Sequence, residues 1–157
     1  MRLLFMRHAD AVDRENWKQD DFSRPLSARG ERDTAKAAER LAAIGLRVEL
    51  ILSSPLARAL RTAELVAAAI RPARGPLTDD RLAPGFDEDA LDDILEEQGK
   101  LESILFVGHE PDFGLVVGSL VGAAHLEFKK GALALADWKP DTGEARLLWL
   151  VPQTILI

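Results

Sequence analysis

The chain opens with a short apolar run that stops abruptly at polar residues, LLFMRHAD (residues 3–10). Residues 3–6 have the length and composition of a buried β-strand. An arginine and a histidine, Arg7 and His8, follow that strand directly. Because a buried strand that ends in a guanidinium and an imidazole is costly to place without partners, this stretch indicates a polar site at the strand end.

The rest of the chain alternates between helical and strand patterns. The first half of the chain predicts a helix over 27–44 with Ser27 as its N-cap, a strand over 49–53, and a helix with Ser54 as N-cap and Pro55 at its first position. A loop over 71–76, a helix over 87–99, a strand over 103–107 and a helix that begins at Pro111 follow. Two late strands, over 132–136 and 146–151, are expected to pair antiparallel. This alternation predicts an α/β sandwich with a mainly parallel sheet.

Length, composition and charge limit the classes of function. A chain of 157 residues predicts a single domain over residues 1–157. The absence of cysteine excludes disulfides, thiolate metal sites and a cysteine nucleophile, and it fits a reducing, cytoplasmic location. A net charge of −6 argues against a nucleic-acid partner. The apolar runs are too short for a membrane span or a signal peptide, so no membrane partner is expected. Oligomeric state has no signature in the sequence.

Three predicted strands end in polar residues, after positions 6, 53 and 107. Ligands of open α/β sheets bind beyond the carboxyl ends of the strands, where these positions meet. We therefore expect one group of side chains to converge there, although its members are far apart along the chain: Arg7, His8, Arg58 and His109.

Such a group suits phosphoryl chemistry. Two guanidiniums bind a phosphoryl group well, because each planar fork matches two of its oxygens. Free backbone N–H groups at the helix starts near Ser54 and Pro111 would add to the affinity for an anion. Neighbouring arginines disfavour a protonated imidazole, and a neutral imidazole is a nucleophile. No metal or other cofactor is required, since the arginines and the second imidazole can stabilise transition-state charge.

Four motifs in the chain resemble the signatures of the histidine phosphatase superfamily and, within it, the small bacterial phosphohistidine phosphatases of the SixA type. FMRHADA (5–11) resembles the RHG box with alanine in place of glycine. The other three are RPLSARG (24–30), SSPLARALRTAELVA (53–67) and VGHEPD (107–112). They occur in the family's order and span residues 1 to about 120. The resemblance implies a phosphoglycerate-mutase-like fold, a three-layer α/β/α sandwich with a mixed, mainly parallel central sheet.

The resemblance also implies roles for individual residues. His8 becomes the nucleophile that is phosphorylated, and Arg7, Arg58 and His109 line the phosphate pocket as further catalytic residues. Arg24 falls where the family places an additional substrate-binding arginine, although its neighbour Pro25 also permits a simple turn. The reaction implied has two steps, phosphoryl transfer to His8 and attack of water on the phosphohistidine. The substrate would be a protein carrying phosphohistidine or a small phosphorylated molecule.

One departure from the family pattern bears on the substrate. Many relatives carry a glutamate near the equivalent of Ala83–Pro84 that protonates an alcohol leaving group. The stretch DDRLAPGFDED (79–89) has none there, and only Asp79, Asp80, Asp87 and Glu88 are near. The small phosphohistidine phosphatases also lack this acid. Because an imidazole leaves phosphorus with modest protonation, its absence favours phosphohistidine over sugar phosphates.

Other interpretations stay open at the level of sequence. One is a small-molecule phosphomonoesterase with Asp79, Asp80 or Glu88 as the acid, and another is a domain that binds phosphorylated ligands without catalysis. His8-x-Asp10 and His109-x-x-Asp112 also have a spacing that a metal-dependent hydrolase could use. His125 belongs to no motif and is interpreted as structural or exposed. The loop over 10–24 is too irregular to predict, and its Trp17 either covers the pocket or packs on the body.

Overall fold

The computed structural model describes residues 1–157. It contains six β-strands and four α-helices. The strands are β1 (Arg2–Arg7), β2 (Leu50–Ser53), β3 (Arg74–Thr78), β4 (Ser103–Gly108), β5 (Leu133–Trp138) and β6 (Ala145–Val151). The helices are α1 (Ala28–Ala43), α2 (Ala57–Ile70), α3 (Glu88–Gln98) and α4 (Asp112–Leu120). Short 3₁₀ turns lie at Arg14–Asn16, Asp21–Ser23, Asp80–Leu82 and Gln153–Ile155.

All six strands form one sheet in the order β3-β2-β4-β1-β5-β6. The first four strands in that order run parallel, with Leu4 of β1 beside Leu105 of β4. β5 is antiparallel to β1, and β6 is antiparallel to β5. The predictions of a mixed, mainly parallel sheet and of an antiparallel pair of late strands are therefore confirmed.

The alternation of side chains along β1 separates the two apolar cores. Leu3 and Phe5 pack on the face covered by α3 and α4, whereas Leu4 and Met6 pack on the face covered by α1 and α2. Successive residues of a strand point to opposite faces, so both faces of this fully buried strand need apolar residues. The result is the predicted three-layer α/β/α sandwich.

Local signals predicted some boundaries well and others poorly. The side chain of Ser27 accepts a hydrogen bond from the Gly30 N–H (3.0 Å) and caps α1, as expected. The predicted cap of α2 at Ser54 is wrong, because that helix begins at Ala57 after Leu56. A serine at a helix start is only a candidate cap, and its hydroxyl has another partner here, which is described below.

The prediction of a loop over 71–76 is wrong for its second half, since β3 begins at Arg74. This strand lies at the edge of the sheet, and four of its five residues are exposed. An exposed edge strand has no apolar alternation to reveal it, and Gly75 and Pro76 are typical of turns.

The strand order decides where the polar strand ends meet. β2, β4 and β1 are neighbours and run in the same direction, so residues 54, 109 and 8 follow them at one edge of the sheet.

The four helices do not combine the length and the apolar composition that spanning a lipid bilayer requires.

Candidate active site

Two histidines and an arginine meet at this edge, as the sequence predicts. The ring centroids of His8 and His109 are 5.3 Å apart. The Arg58 Nε atom lies 3.3 Å from the His8 Nε2 atom. Only 7% of His8 and 4% each of Arg58 and His109 is exposed, so these groups face one another in a largely dry environment. Low dielectric strengthens every charge interaction among them.

The tautomer of His8 follows from its hydrogen bonds. Its Nδ1 atom lies 2.8 Å from the carbonyl oxygen of Ala9, which can only accept, so Nδ1 carries the ring hydrogen. The Nε2 atom is then unprotonated, and its lone pair accepts the hydrogen bond from Arg58. The ring therefore presents a nucleophilic nitrogen to the cluster.

A threonine of α2 fixes the position of the segment that carries His8. The Ala9 N–H donates to Thr62 Oγ1 (3.1 Å), and the Thr62 hydroxyl donates to the carbonyl oxygen of Arg58 (2.8 Å). Thr62 is fully buried. One hydroxyl thus connects the end of β1 to the helix turn that carries Arg58. This connection fixes the position of the His8 imidazole relative to the Arg58 guanidinium.

His109 is oriented by the serine expected to cap α2. The Ser54 Oγ atom lies 2.8 Å from His109 Nε2 and also accepts from the Leu56 N–H (3.3 Å). A hydroxyl that accepts one hydrogen bond can donate its own hydrogen to another atom, so these contacts are compatible with an unprotonated His109 Nε2. Nδ1 of His109 then carries the ring hydrogen and can donate to an anion.

Arg7 and Arg24 complete the set predicted from the sequence. Arg7 donates from Nη1 to the carbonyl oxygen of Phe128 (2.8 Å), whereas its buried Nε has no hydrogen-bond partner. Arg24 donates from Nη1 to the carbonyl oxygen of Val12 (2.8 Å) and from Nε to Asp21 Oδ1 (2.8 Å). Arg24 therefore joins the cluster through Asp21 and also secures the loop.

The sequence did not predict the role of Asp21 in this site. Its Oδ2 atom accepts from Arg58 Nη2 (3.0 Å), and its backbone carbonyl accepts from Arg58 Nη1 (2.9 Å). Its Oδ1 atom also pairs with Arg14 Nη1 at 2.6 Å. Asp21 lies in the irregular stretch before Arg24, where no periodic pattern distinguishes it from the neighbouring Asp20.

Burial and charge set the protonation of the cluster. Burial is the main cause that lowers the pKa of His8 to about 3, and His109, Arg58 and Arg7 lower it further against the opposing effect of the Ala9 carbonyl. Burial followed by Arg58 lowers the pKa of His109 to about 4. Both imidazoles are consequently neutral at pH 7, as a nucleophile requires. Burial alone would raise the pKa of Asp21, but Arg24 and Arg58 lower it to about 2.

These pKa values predict acid sensitivity of the folded protein. The unfolded chain protonates its histidines near pH 6.5, whereas the folded chain resists protonation of His8 and His109 until pH about 3 and about 4. The unfolded state therefore binds more protons between pH 6.5 and pH 4, and stability falls as the pH falls through this window. We expect a loss of roughly 2 kcal/mol per histidine between pH 7 and pH 5.

Urea unfolding at pH 7 and pH 5, in buffers without phosphate, measures this dependence. A His8→Gln variant should lose about half of the pH dependence, because only His109 then contributes. An equal pH dependence in wild type and variant would contradict the assignment of the effect to these imidazoles.

Asp79 is paired with an arginine, and the other three candidate acids are exposed. Asp79 accepts two hydrogen bonds from the Arg81 guanidinium (2.9 and 2.6 Å), which chiefly lowers the pKa of Asp79. A carboxylate held ionised in this way is a poor proton donor at neutral pH. Asp80, Asp87 and Glu88 are exposed.

The carboxylates considered as metal ligands have other partners. Asp10 pairs with Lys130 (2.8 Å) and accepts from the Ser27 hydroxyl (2.7 Å), and Asp112 accepts from the Gly85 N–H (2.8 Å). No three His, Asp or Glu side chains are grouped so that they could hold a metal ion together.

Three further side chains are engaged with other partners. His125 Nε2 contacts Glu110 Oε1 at 3.0 Å. Arg61, one turn after Arg58, pairs with Glu31 and Glu64 at the surface. The indole N–H of Trp17 donates to the carbonyl oxygen of Asp20 (2.9 Å), a residue of the same loop.

Comparison with known proteins places this chain in one family. The sequence model of the histidine phosphatase superfamily (branch 1) matches residues 3–84. An uncharacterized protein of Picosynechococcus sp. is 38% identical over 139 residues, which cover 85% of this chain and 82% of that protein. The chain belongs to the histidine phosphatase superfamily.

Solved structures give the same architecture. The protein histidine phosphatase SixA complexed with tungstate superposes with a TM-score of 0.84 at 25% identity, covering 100% of both chains. The alpha-ribazole phosphatase of Shigella flexneri superposes with a TM-score of 0.77 at 19% identity, covering 98% of this chain and 97% of that one. The predicted phosphoglycerate-mutase-like fold and the SixA-like resemblance are therefore confirmed.

Proposed function

We propose that this phosphatase hydrolyses phosphohistidine on a protein through a covalent phosphohistidine intermediate on His8. The observation that carries the proposal is the neutral, buried His8 imidazole, whose unprotonated Nε2 faces the Arg58 guanidinium. A nucleophile beside a fixed cation is the arrangement that phosphoryl transfer needs, because the cation attracts the phosphoryl group to the nucleophile.

In the first step, His8 Nε2 attacks phosphorus, and the bond from phosphorus to the substrate imidazole breaks. The substrate ring, which takes a proton from solvent on its other nitrogen, leaves as neutral imidazole. Arg58 and Arg7 stabilise the phosphoryl oxygens, and His109 donates from Nδ1 to the same oxygens. The Ala9 carbonyl accepts from His8 Nδ1 and stabilises the positive charge that develops on the ring as Nε2 forms its bond.

In the second step, water attacks phosphorus and the bond between phosphorus and His8 Nε2 breaks. His8 returns to its neutral tautomer, and the products are the dephosphorylated substrate and orthophosphate. No residue outside the cluster is needed to hold the intermediate, because the same guanidiniums contact the phosphoryl group in both steps.

The lack of a glutamate at Ala83–Pro84 and the pairing of Asp79 with Arg81 support phosphohistidine as the substrate class. An alkoxide leaving group needs a proton in the transition state, and a general acid typically contributes about 10²- to 10⁴-fold to such a step. Asp79 is ion-paired with Arg81 and cannot readily supply that proton. An imidazole leaving group is much less demanding. The SixA structure at 25% identity is that of a protein histidine phosphatase, which points the same way.

Rapid quench tests both parts of this proposal. With a ³²P-labelled phosphohistidine peptide, label should appear on His8 within one turnover, and it should be stable to base and labile to acid. The kcat/KM value for the peptide should exceed that for a simple alkyl phosphate by at least roughly 100-fold, the contribution of a missing general acid.

An aryl ester with a good leaving group, p-nitrophenyl phosphate, serves as the matched control because it needs no acid. Asp79→Asn should leave all three activities nearly unchanged. If label never reaches His8, the mechanism is wrong. If the alkyl phosphate reacts as fast as the peptide, or loses activity on Asp79→Asn, the substrate class is wrong and a phosphomonoesterase is indicated.

A further inference from the structure

We propose that the carboxylate of Asp21 competes with phosphate for Arg58 and is displaced by the bound phosphoryl group. This inference deepens the proposed function, because it assumes that the cluster is a phosphate pocket. It concerns a step that the covalent chemistry does not include, the entry of the phosphoryl group and the release of orthophosphate.

The contacts of Asp21 engage both terminal nitrogens of the Arg58 guanidinium. Nη1 and Nη2 of Arg58 donate to the carbonyl oxygen and to Oδ2 of Asp21, at 2.9 and 3.0 Å. The third nitrogen, Nε, faces His8. A guanidinium presents paired N–H groups to a carboxylate or to a phosphate with the same geometry. The Oδ2 of Asp21 therefore binds a guanidinium nitrogen that can also donate to a phosphoryl oxygen.

Charge makes the two anions mutually exclusive at short range. Asp21 is ionised over the whole neutral range, since Arg24 and Arg58 lower its pKa to about 2 against the effect of burial. Two anions on the same guanidinium repel each other, although solvent reaches the Asp21 side chain, which is 35% exposed, and weakens that repulsion. A phosphoryl dianion carries more charge than a carboxylate, so it gains more from the guanidinium and displaces Oδ2.

The second oxygen of Asp21 explains how displacement can occur without unfolding the loop. Oδ1 is held by Arg24 Nε at 2.8 Å and by Arg14 Nη1 at 2.6 Å, and neither arginine depends on Oδ2. The side chain can therefore turn away from Arg58 while remaining anchored. After hydrolysis, Oδ2 returns to Arg58 and opposes rebinding of orthophosphate.

This role predicts the sign of a substitution. If Asp21 competes with phosphate, Asp21→Asn should tighten the binding of inorganic phosphate by roughly tenfold, the weight of one hydrogen bond to a charged group. If Asp21 merely positions Arg58, the same substitution should weaken phosphate binding, because the guanidinium would lose its orientation. The KM value for the phosphohistidine peptide should fall with Asp21→Asn, and orthophosphate should become a stronger product inhibitor.

Isothermal titration of wild type, Asp21→Asn and Asp20→Asn with inorganic phosphate, at constant ionic strength, makes the test. Asp20→Asn is the matched control, since the substitution removes the same charge one residue away. Asp20 is exposed and accepts a hydrogen bond from Ser23 rather than from Arg58. Tighter binding in Asp21→Asn alone supports the proposal. Unchanged or weaker binding in Asp21→Asn, or equal tightening in both variants, overturns it.

A measurement on the wild type keeps the proposal testable if the variant folds poorly. In a crystal soaked with phosphate or tungstate, the Asp21 Oδ2 to Arg58 Nη2 distance should exceed hydrogen-bond range, and an intact contact beside the bound anion overturns the proposal. Phosphoenzyme trapping is independent of this result. If trapping succeeds while Asp21 has no effect, only the present inference fails; if no label reaches His8, the proposed function fails.

Discussion

A His8→Ala variant should lose roughly 10⁴-fold or more of kcat/KM on the phosphohistidine peptide, because no other side chain can replace the Nε2 lone pair as the nucleophile. His8 is buried, and its Nε2 accepts from Arg58 while its Nδ1 is committed to the Ala9 carbonyl. The remaining histidine of the cluster cannot take over, since His109 Nε2 is bonded to Ser54. Steady-state kinetics and rapid quench of the variant measure the loss.

The same variant separates an enzyme from a phosphate-binding module. The variant retains Arg7, Arg58 and His109, so inorganic phosphate should bind within about threefold of the wild-type affinity. Such a change in binding free energy is smaller than the net contribution of one typical hydrogen bond. His125→Ala, at an exposed histidine paired with Glu110, is the control for loss of an imidazole. Residual turnover near the wild-type rate in His8→Ala would refute the covalent mechanism, and a wild-type protein that binds phosphate without turnover would indicate a binding module.

The second large effect is expected at Arg58. Replacing it by alanine should lower kcat/KM by about 10²- to 10³-fold, because a preorganised donor to the phosphoryl oxygens is lost from a dry site. Arg58→Lys should recover little of this loss, since an ammonium cannot make paired contacts with two oxygens and also reach His8. Stopped-flow assays with p-nitrophenyl phosphate and with the peptide would report the loss for both leaving groups.

Arg61→Ala is the matched control for Arg58. It removes an arginine one turn later on the same helix, where the side chain is about half exposed and paired with Glu31 and Glu64. Surface ion pairs contribute about 1 kcal/mol at most, so activity should change by less than roughly twofold. Melting temperatures of all variants distinguish lost catalysis from lost folding. Equal losses in Arg58→Ala and Arg61→Ala would show that helix α2, rather than the guanidinium, limits activity.

The sequence predicted the architecture because buried elements leave periodic patterns. β1 and β4 are apolar on both faces, and α1 carries an N-cap serine and an amphipathic pattern. β3 was missed in part because an exposed edge strand with Gly75 and Pro76 has neither signal. Element type was therefore predictable where burial was one-sided or complete, and unpredictable where the strand lay in solvent.

The sequence determined by itself which side chains gather, since the carboxyl ends of adjacent parallel strands share one edge and the residues that follow them are read directly from the chain. It could not determine the partners that these side chains take. Ser54 binds His109 rather than capping α2, and Asp21 reaches Arg58 across 37 positions of sequence. Only the tertiary structure decided those contacts, because a single polar hydrogen bond between distant segments depends on distance and direction in space and leaves no period along the chain.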